Sequence, residues 1–294
     1  MTILPSKKSS TLLTLAFVAF ASTGSASAEK GDGYNKALNG YLQQTAAEVS
    51  STIASLDAKK INKAIDLVVD TAGTKRRIWT AGNGGSAATA EHMAHNFTWD
   101  VMASGTVKKG ISGIALTSQS AEVTARTNDL SGQHAAASLL LHQGRKGDVL
   151  IGISGGGTSQ NILDSITVAH KLGMKTIMIT KEGSPIAKAA TVAIAIKSGD
   201  QQVAEDVANT VMHTLVRGTI AKLNGSGPAG ITEDFAHLRT KEANQDRMAR
   251  NLKKWNKQQQ KALKKERHAK KSLISKKAKA KVASNAKRAA KRTR

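Results

Sequence analysis

The sequence predicts an α/β protein built on a parallel sheet covered on both faces, and three observations carry that prediction. Short apolar runs alternate with helical patterns along most of the chain, the signature of parallel strands joined by crossover helices. Two of the apolar runs lead straight into glycine-rich turns that are themselves followed by helices. The composition agrees: 40% of residues are hydrophobic but only 3% are aromatic, so the interior is built from Ala, Ile, Val and Gly, which suits tightly packed layers. At 294 residues the chain has room for one large domain or two small ones. It has no cysteine, which excludes a disulfide framework and a Cys-ligated zinc.

Taken in order, the chain begins with Lys7 and Lys8, an apolar stretch from Leu12 to Ala21, and a small-residue region ending Ala26-Ser27-Ala28. That is the charged, apolar and A-x-A order of a secretory signal peptide over residues 1–28. The expectation is an exported protein, periplasmic or extracellular; the alternative is a cytoplasmic one. The apolar stretch is short for a bilayer and no other is longer, so no transmembrane span is expected. Tyr34 to Ala72 reads as a helical hairpin. Leu38, Leu42, Ala46, Val49, Ile53 and Leu56 make one apolar stripe, and Asp57 can cap a second helix striped by Ile61, Ile65 and Val68. Such a hairpin covers either its own sheet or another copy of the protein.

Ile78 to Ala81 is then a buried strand, and Gly82-Asn83-Gly84-Gly85-Ser86 the first glycine turn. The helix after it carries His92, His95 and Asn96. Glycine lets the backbone approach a ligand closely, and a helix N-terminus offers free N–H groups and partial positive charge, so the turn suits a phosphate. Gly113 to Thr117 is a second strand candidate and Gln133 to Leu141 a helix. Asp148 to Ile153 is a buried strand running into Ser154-Gly155-Gly156-Gly157-Thr158-Ser159 and a helix to about Leu172. Lys175 to Thr180 and Val192 to Ile196 are further strands, separated by a turn at Glu182 to Pro185. A last helix, about Val203 to Leu223, is striped by Val203, Val207, Val211 and Leu215. Ligands of such sheets bind at the carboxyl ends of the strands, where both glycine turns lie.

After Gly225-Ser226-Gly227-Pro228 the composition changes. From Arg250 to Arg294 there are 19 Lys/Arg against the single Glu266, a net +18 of the total +23; the other 249 residues hold 25 basic and 20 acidic residues, a net +5. Residues 225–294 are thus a basic tail, disordered or a lone solvated helix, that would bind a polyanion with little sequence preference. Nucleic acid is the expected polyanion for a cytoplasmic protein, and an anionic envelope surface for an exported one. His95, His134 and His142 read as solvent-exposed helix histidines, the last two lacking acidic partners.

Gly82 to His92 (GNGGSAATAEH) and Asp148 to Leu163 (DVLIGISGGGTSQNIL) resemble the sugar isomerase (SIS) domain, most of all its phosphoheptose isomerase group. Asn128-Asp129, Gly173 to Thr180, Ser184 to Ile196 and the His213 helix agree as well, so the resemblance covers roughly residues 37–223. It implies a phosphosugar-binding domain over residues 34–224: a three-layer α/β/α sandwich with a five-stranded parallel sheet (SIS fold). It also implies a homotetramer with sites between subunits and N-terminal helices joined in a bundle. No nucleotide cofactor is implied. Asn83, Gly84, Gly85 and Ser86 match the family's first substrate loop, and Asn128 and Asp129 a sugar-contacting pair. Ser154, Thr158 and Ser159 match its phosphate loop. That loop often reads STSGNS and here reads SGGGTS, so Gly156 replaces a serine and Thr158 the asparagine; backbone N–H groups still suit the phosphate.

His92 and His213 match the zinc histidines. Zinc-dependent members carry a glutamate where this chain has Asn96, which cannot take a proton, and a glutamine where it has Glu205. A second branch, acidic at the later position, is more similar to Glu205-Asp206-Val207. His92, Glu205 and His213 would make two imidazoles and one carboxylate, a set that suits catalytic zinc; alternatively, Asn96 leaves only a metal-free binding pocket. On one continuous helix Glu205 and His213 are separated by about 12 Å of rise, so they cannot share an ion. Either the helix begins after Glu205 or the ligands come from different subunits. The resemblance implies an isomerase of ketose and aldose phosphates, acting on sedoheptulose 7-phosphate, with Glu205 or His213 as base. The alternative is a non-catalytic sugar-phosphate-binding regulator or scaffold.

Overall fold

The computed structural model describes residues 24–104, 110–232 and 241–292. Residues 1–23, with the charged and apolar parts of the leader, lie outside the described residues. The chain divides into two units, residues 1–48 and 49–294. In the first, the described residues belong to helix α1 (Gly24–Ala54), on which Tyr34, Leu38, Tyr41 and Leu42 are exposed.

In the second unit the end of α1 is followed by α2 (Ala58–Val69), β1 (Arg77–Ala81), α3 (Gly85–Ala103), β2 (Ser112–Ala115), α4 (Ser120–Leu130) and α5 (Gly132–Gln143). Then come β3 (Val149–Ser154), α6 (Gln160–Lys171), β4 (Lys175–Lys181), α7 (Pro185–Ala189), β5 (Val192–Ile196) and α8 (Gln201–Asn224). A short 3-10 turn and the helix α9 (Lys241–Arg292) complete it. All five strands are parallel, in the order β2-β1-β3-β4-β5.

Side chains alternate across a strand, so the apolar strands feed two cores. Ile78, Ile151, Ile177 and Ile194 face α2, α3 and α8, where they meet Val68, Phe97, Val207 and Val211. Trp79, Leu150 and Met178 face the opposite layer, with Leu140 of α5, Ile166 of α6 and Ile186 of α7. This is the three-layer sandwich expected from the sequence. Asp57 caps α2 by accepting from the backbone N–H groups of Lys59 and Lys60. α2 lies on its own domain: Ile65 packs over Gly218 of α8, where any Cβ would collide, and Asp66 pairs with Lys222.

Two helices carry no legible apolar stripe in the sequence. None of the residues of α4 is buried, so the amphipathic signal is missing there. The helix is supported instead by the Arg126–Glu122 pair at 2.9 Å, one turn apart. α7 is only five residues long and starts where the turn at Glu182 to Pro185 ends, with Ser184 as its cap and Pro185 in its first turn.

The start of the sheet is pinned by one buried carboxylate. Asp148, 1% exposed, accepts from the Arg77 backbone N–H at 2.9 Å, the Trp79 indole Nε1–H at 2.9 Å and the Arg145 backbone N–H at 3.1 Å. It ties β1 to β3 before their ladder begins. Asp148→Ala strands these donors, two of them on β1, and is expected to lower the unfolding free energy by about 3 kcal/mol or more. Urea denaturation followed by circular dichroism checks this; an unchanged midpoint would show that the tie contributes nothing.

Candidate functional site

The two glycine turns meet because β1 and β3 are neighbours. From β1 the chain crosses to β2 on one side and later to β3 on the other, so the sheet order reverses there. Such a switch point leaves a crevice at the carboxyl ends of the strands. The first turn needs glycine at Gly84, whose φ of 52° and ψ of −124° suit no side chain. In the second, the buried Ser154 accepts from the Gly157 N–H at 3.3 Å, and its Oγ lies 3.3 Å from Ser159 Oγ. Ser159 is also the residue preceding α6. The turns are joined by a reciprocal amide pair: Asn83 Nδ2 donates to Asn161 Oδ1 at 3.0 Å, and Asn161 Nδ2 to Asn83 Oδ1 at 2.7 Å.

A cavity of about 110 Å³ opens beside this pair, with Gly82, Asn83, Thr117, Thr127, Ala135 and Asn161 among its lining. The Thr117 hydroxyl oxygen is buried and has no hydrogen-bond partner among the described residues. Asn128 and Asp129 sit exposed in the last turn of α4, with the Asn128 amide donating to the Asp129 carboxylate at 3.0 Å. They follow Thr127 at the cavity wall but are not part of its lining.

On the other face of the sheet α3 and α8 are joined by a ladder of polar residues. The Glu205 carboxylate lies over Gly85, where a Cβ would come within 2.9 Å of Oε2. Gln201 Nε2 donates to Glu205 Oε1 at 3.3 Å. One turn on, Thr89 Oγ1 donates to Asn209 Oδ1 at 3.1 Å. Next, the His92 and His213 rings meet edge to face, with centroids 5.3 Å apart and planes at 82°. At the end, Asn96, only 4% exposed, directs its amide Nδ2 at the Met212 sulfur, 3.6 Å away.

The carboxylate is therefore at the first glycine turn and the imidazoles are two turns along the helices. α8 runs unbroken from Gln201 to Asn224, so Glu205 and His213 are kept apart by about 12 Å of rise. Among the described residues no three His, Asp or Glu side chains gather about one point. Within one chain the set His92, Glu205 and His213 does not fit a zinc ion.

Of the residues singled out in the sequence, Asn83 to Ser86 follow β1 and Ser154 to Ser159 follow its neighbour β3, with Asn83 bonded to Asn161 of α6 and Ser86 buried. Glu205 joins the first turn, and His92 joins His213. Asn96 is taken into the α3–α8 interface. His134 is exposed on its helix as expected, but it does have an acidic partner: its Nδ1 lies 3.2 Å from the Asp164 carboxylate of α6, 30 residues away, which helix spacing cannot show. Asn161, Thr117, Thr89 and Asn209 were not among the candidate site residues. Asn161 alone had a signal, an amide at the start of the helix that follows a glycine turn.

A parallel α/β sandwich with paired glycine turns at its switch point is a ligand-binding type of fold. Residues 40–181 match the model of the SIS domain. The phosphoheptose isomerase of Aliarcobacter butzleri is 32% identical over 182 residues, 62% of this chain and 90% of that protein. That of Aeromonas hydrophila is 31% identical over 187 residues, 63% of this chain and 95% of the relative. The solved phosphoheptose isomerase of Neisseria gonorrhoeae shares the fold at a TM-score of 0.57 and 24% identity, across 63% of this chain and 99% of that one. The chain belongs to the SIS domain family, and among its relatives are phosphoheptose isomerases.

Gly85 is the position where sequence and site geometry meet most tightly. A Cβ there meets only the flexible end of Glu205, so the side chain gives way while the backbone stays. Gly85→Ala is expected to keep or slightly raise the melting temperature, since alanine favours the helix. A crystal structure of the variant should show the Glu205 carboxylate swung off the α3 N-terminus. An unmoved carboxylate would mean that Gly85 does not position it.

Proposed function

We propose that this protein is a phosphosugar isomerase that interconverts a ketose and an aldose phosphate, with a substrate similar to sedoheptulose 7-phosphate. The observation that carries the reading is the Glu205 carboxylate held at the first glycine turn, beside a crevice whose second turn presents Ser154 and Ser159. The phosphate is held by backbone N–H groups of the turns with Ser86, Ser154, Thr158 and Ser159. The sugar chain extends toward Asn83 and the cavity, where the Thr117 hydroxyl is left for a partner. Asn128 and Asp129 contact it from the end of α4.

Glu205 takes the proton from the carbon next to the carbonyl and returns it to the neighbouring carbon. The enediolate between these steps is stabilised by donors at the turn. His213 is the second candidate base. Zinc would need a third donor beside His92 and His213, which a second copy of the chain supplies if the protein is a tetramer. The exposed Tyr34, Leu38, Tyr41 and Leu42 suit such an assembly. The leader of residues 1–28 points to export, and the tail of residues 225–294 to a polyanion. A second reading, a sugar-phosphate-binding regulator without turnover, is favoured by one observation: Asn96 is buried against Met212 and offers the site no proton acceptor.

Purified protein incubated with ketose phosphates, with and without added zinc, separates the two readings. Turnover is expected, and Glu205→Gln should lower it by about 10²-fold or more while Asn96→Ala has a smaller effect. Metal content measured beside the rate tells a base from a ligand: loss of rate with zinc kept marks Glu205 as the base. Full activity in Glu205→Gln would return the proton transfer to His213. No turnover on any ketose phosphate, with binding retained, would establish the regulator.

The phosphate cradle is tested by Ser86→Ala combined with Ser159→Ala. Calorimetry should show sugar-phosphate binding weakened at least tenfold, ~1.4 kcal/mol. Equal affinity in the double variant would place the phosphate elsewhere.

A further inference from the structure

The basic tail is more than a string of charges. In α9 the residues Met248, Leu252, Trp255 and Leu263 are all exposed, the last three by 53%, 55% and 53%. Helical geometry sets them within an arc of about 80° on one face, along about 22 Å of helix. None of the basic residues from Arg250 to Arg267 falls in that arc. Arg267 lies about 40° from its edge and Lys253 and Lys265 about 80°, while Arg250, Lys254, Lys257, Lys261 and Lys264 occupy the opposite face. The one carboxylate in this stretch, Glu266, is paired with Lys270 at 3.2 Å. An apolar stripe with a tryptophan, backed by a cationic face, is the pattern of a helix that lies in the plane of a membrane surface.

We propose that the α9 segment 248–267 docks on an anionic lipid surface. Its apolar stripe enters the boundary between headgroups and acyl chains, while Arg267 and the long stems of Lys253 and Lys265 reach back to the anionic headgroups. The inference rests on the polyanion-binding reading of the tail and narrows it to one surface. Nucleic acid would engage the cations alone and leave Leu252, Trp255 and Leu263 in water. Gln259 and Glu266 lie within the same arc: a coiled coil would bury them in its seam, whereas at a headgroup boundary they stay solvated. An anionic lipid surface takes both faces at once. No helix among the described residues is long and apolar enough to cross a membrane, so the contact is one of lying on the surface.

The test uses full-length protein with vesicles of equal parts phosphatidylglycerol and phosphatidylcholine, vesicles of phosphatidylcholine alone, and a duplex DNA, all at physiological salt. The parent is expected to sediment with the anionic vesicles and only weakly with the neutral ones. Its Trp255 emission, taken as the difference from Trp255→Phe, should shift to the blue. Leu252→Ser/Trp255→Ser/Leu263→Ser keeps every charge and should lose at least tenfold in partition to the anionic vesicles, with DNA affinity within twofold of the parent. A triple variant that partitions like the parent would overturn the lipid surface and leave a purely electrostatic tail. Equal losses on vesicles and DNA would overturn it too, by showing that the stripe supports the helix rather than a lipid contact. A parent that binds neither would remove the polyanion reading and this inference together.

Discussion

The adjacency of β1 and β3 is the constraint on which the rest depends. At one end of the pair, Asp148 gathers N–H groups from Arg77, Trp79 and Arg145. At the other, Asn83 and Asn161 exchange amide hydrogen bonds across the two glycine turns. Between them the ladder from Ile78 to Ala81 against Val149 to Gly152 sets the register. The Asp148 cluster is buried and tolerates few arrangements, because each unpaired donor has a cost, while the exposed Asn83–Asn161 pair links the other end. Asn83 reaches Asn161 only because this pair of strands is held.

The chemistry is distributed along α3 and α8 in an order that the helices impose. A carboxylate stands at the glycine-turn end, a Thr–Asn rung follows, and the two imidazoles come after it. An unbroken α8 is what separates Glu205 from His213. The carboxylate and the imidazole pair are thus two separate groups within one chain. Asn96 fits this division, since its side chain serves packing against Met212 and not the crevice.

Charge is segregated along the chain as clearly as chemistry. Residues 250–294 carry +18 and the remainder +5, so the body has the balance of an ordinary globular domain while α9 carries the field. An exposed apolar stripe inside so basic a helix is a combination that charge counting overlooks, because it concerns angular position and not composition.

Much of the fold and part of the site were legible in the sequence. Strand positions followed from short apolar runs, because burial on both sheet faces requires them. Asp57, Gly84 and the glycine turns followed from local backbone chemistry, which acts within a few residues. α4 was not legible because no residue of it is buried, and the partner of His134 was not because Asp164 lies 30 residues away. Glu205 and His213 were separable in the sequence only on condition that α8 was continuous, and the structure supplied that condition. The sequence by itself determined the sheet, the turns and the kinds of side chain at the crevice, since these depend on local pattern and hydrophobic period. Tertiary structure alone decided that Glu205 lies over Gly85, that Asn83 meets Asn161 and that Asn96 is buried. Those pairings join residues 78 to 120 positions apart, and only strand order and helix packing bring them within hydrogen-bonding reach.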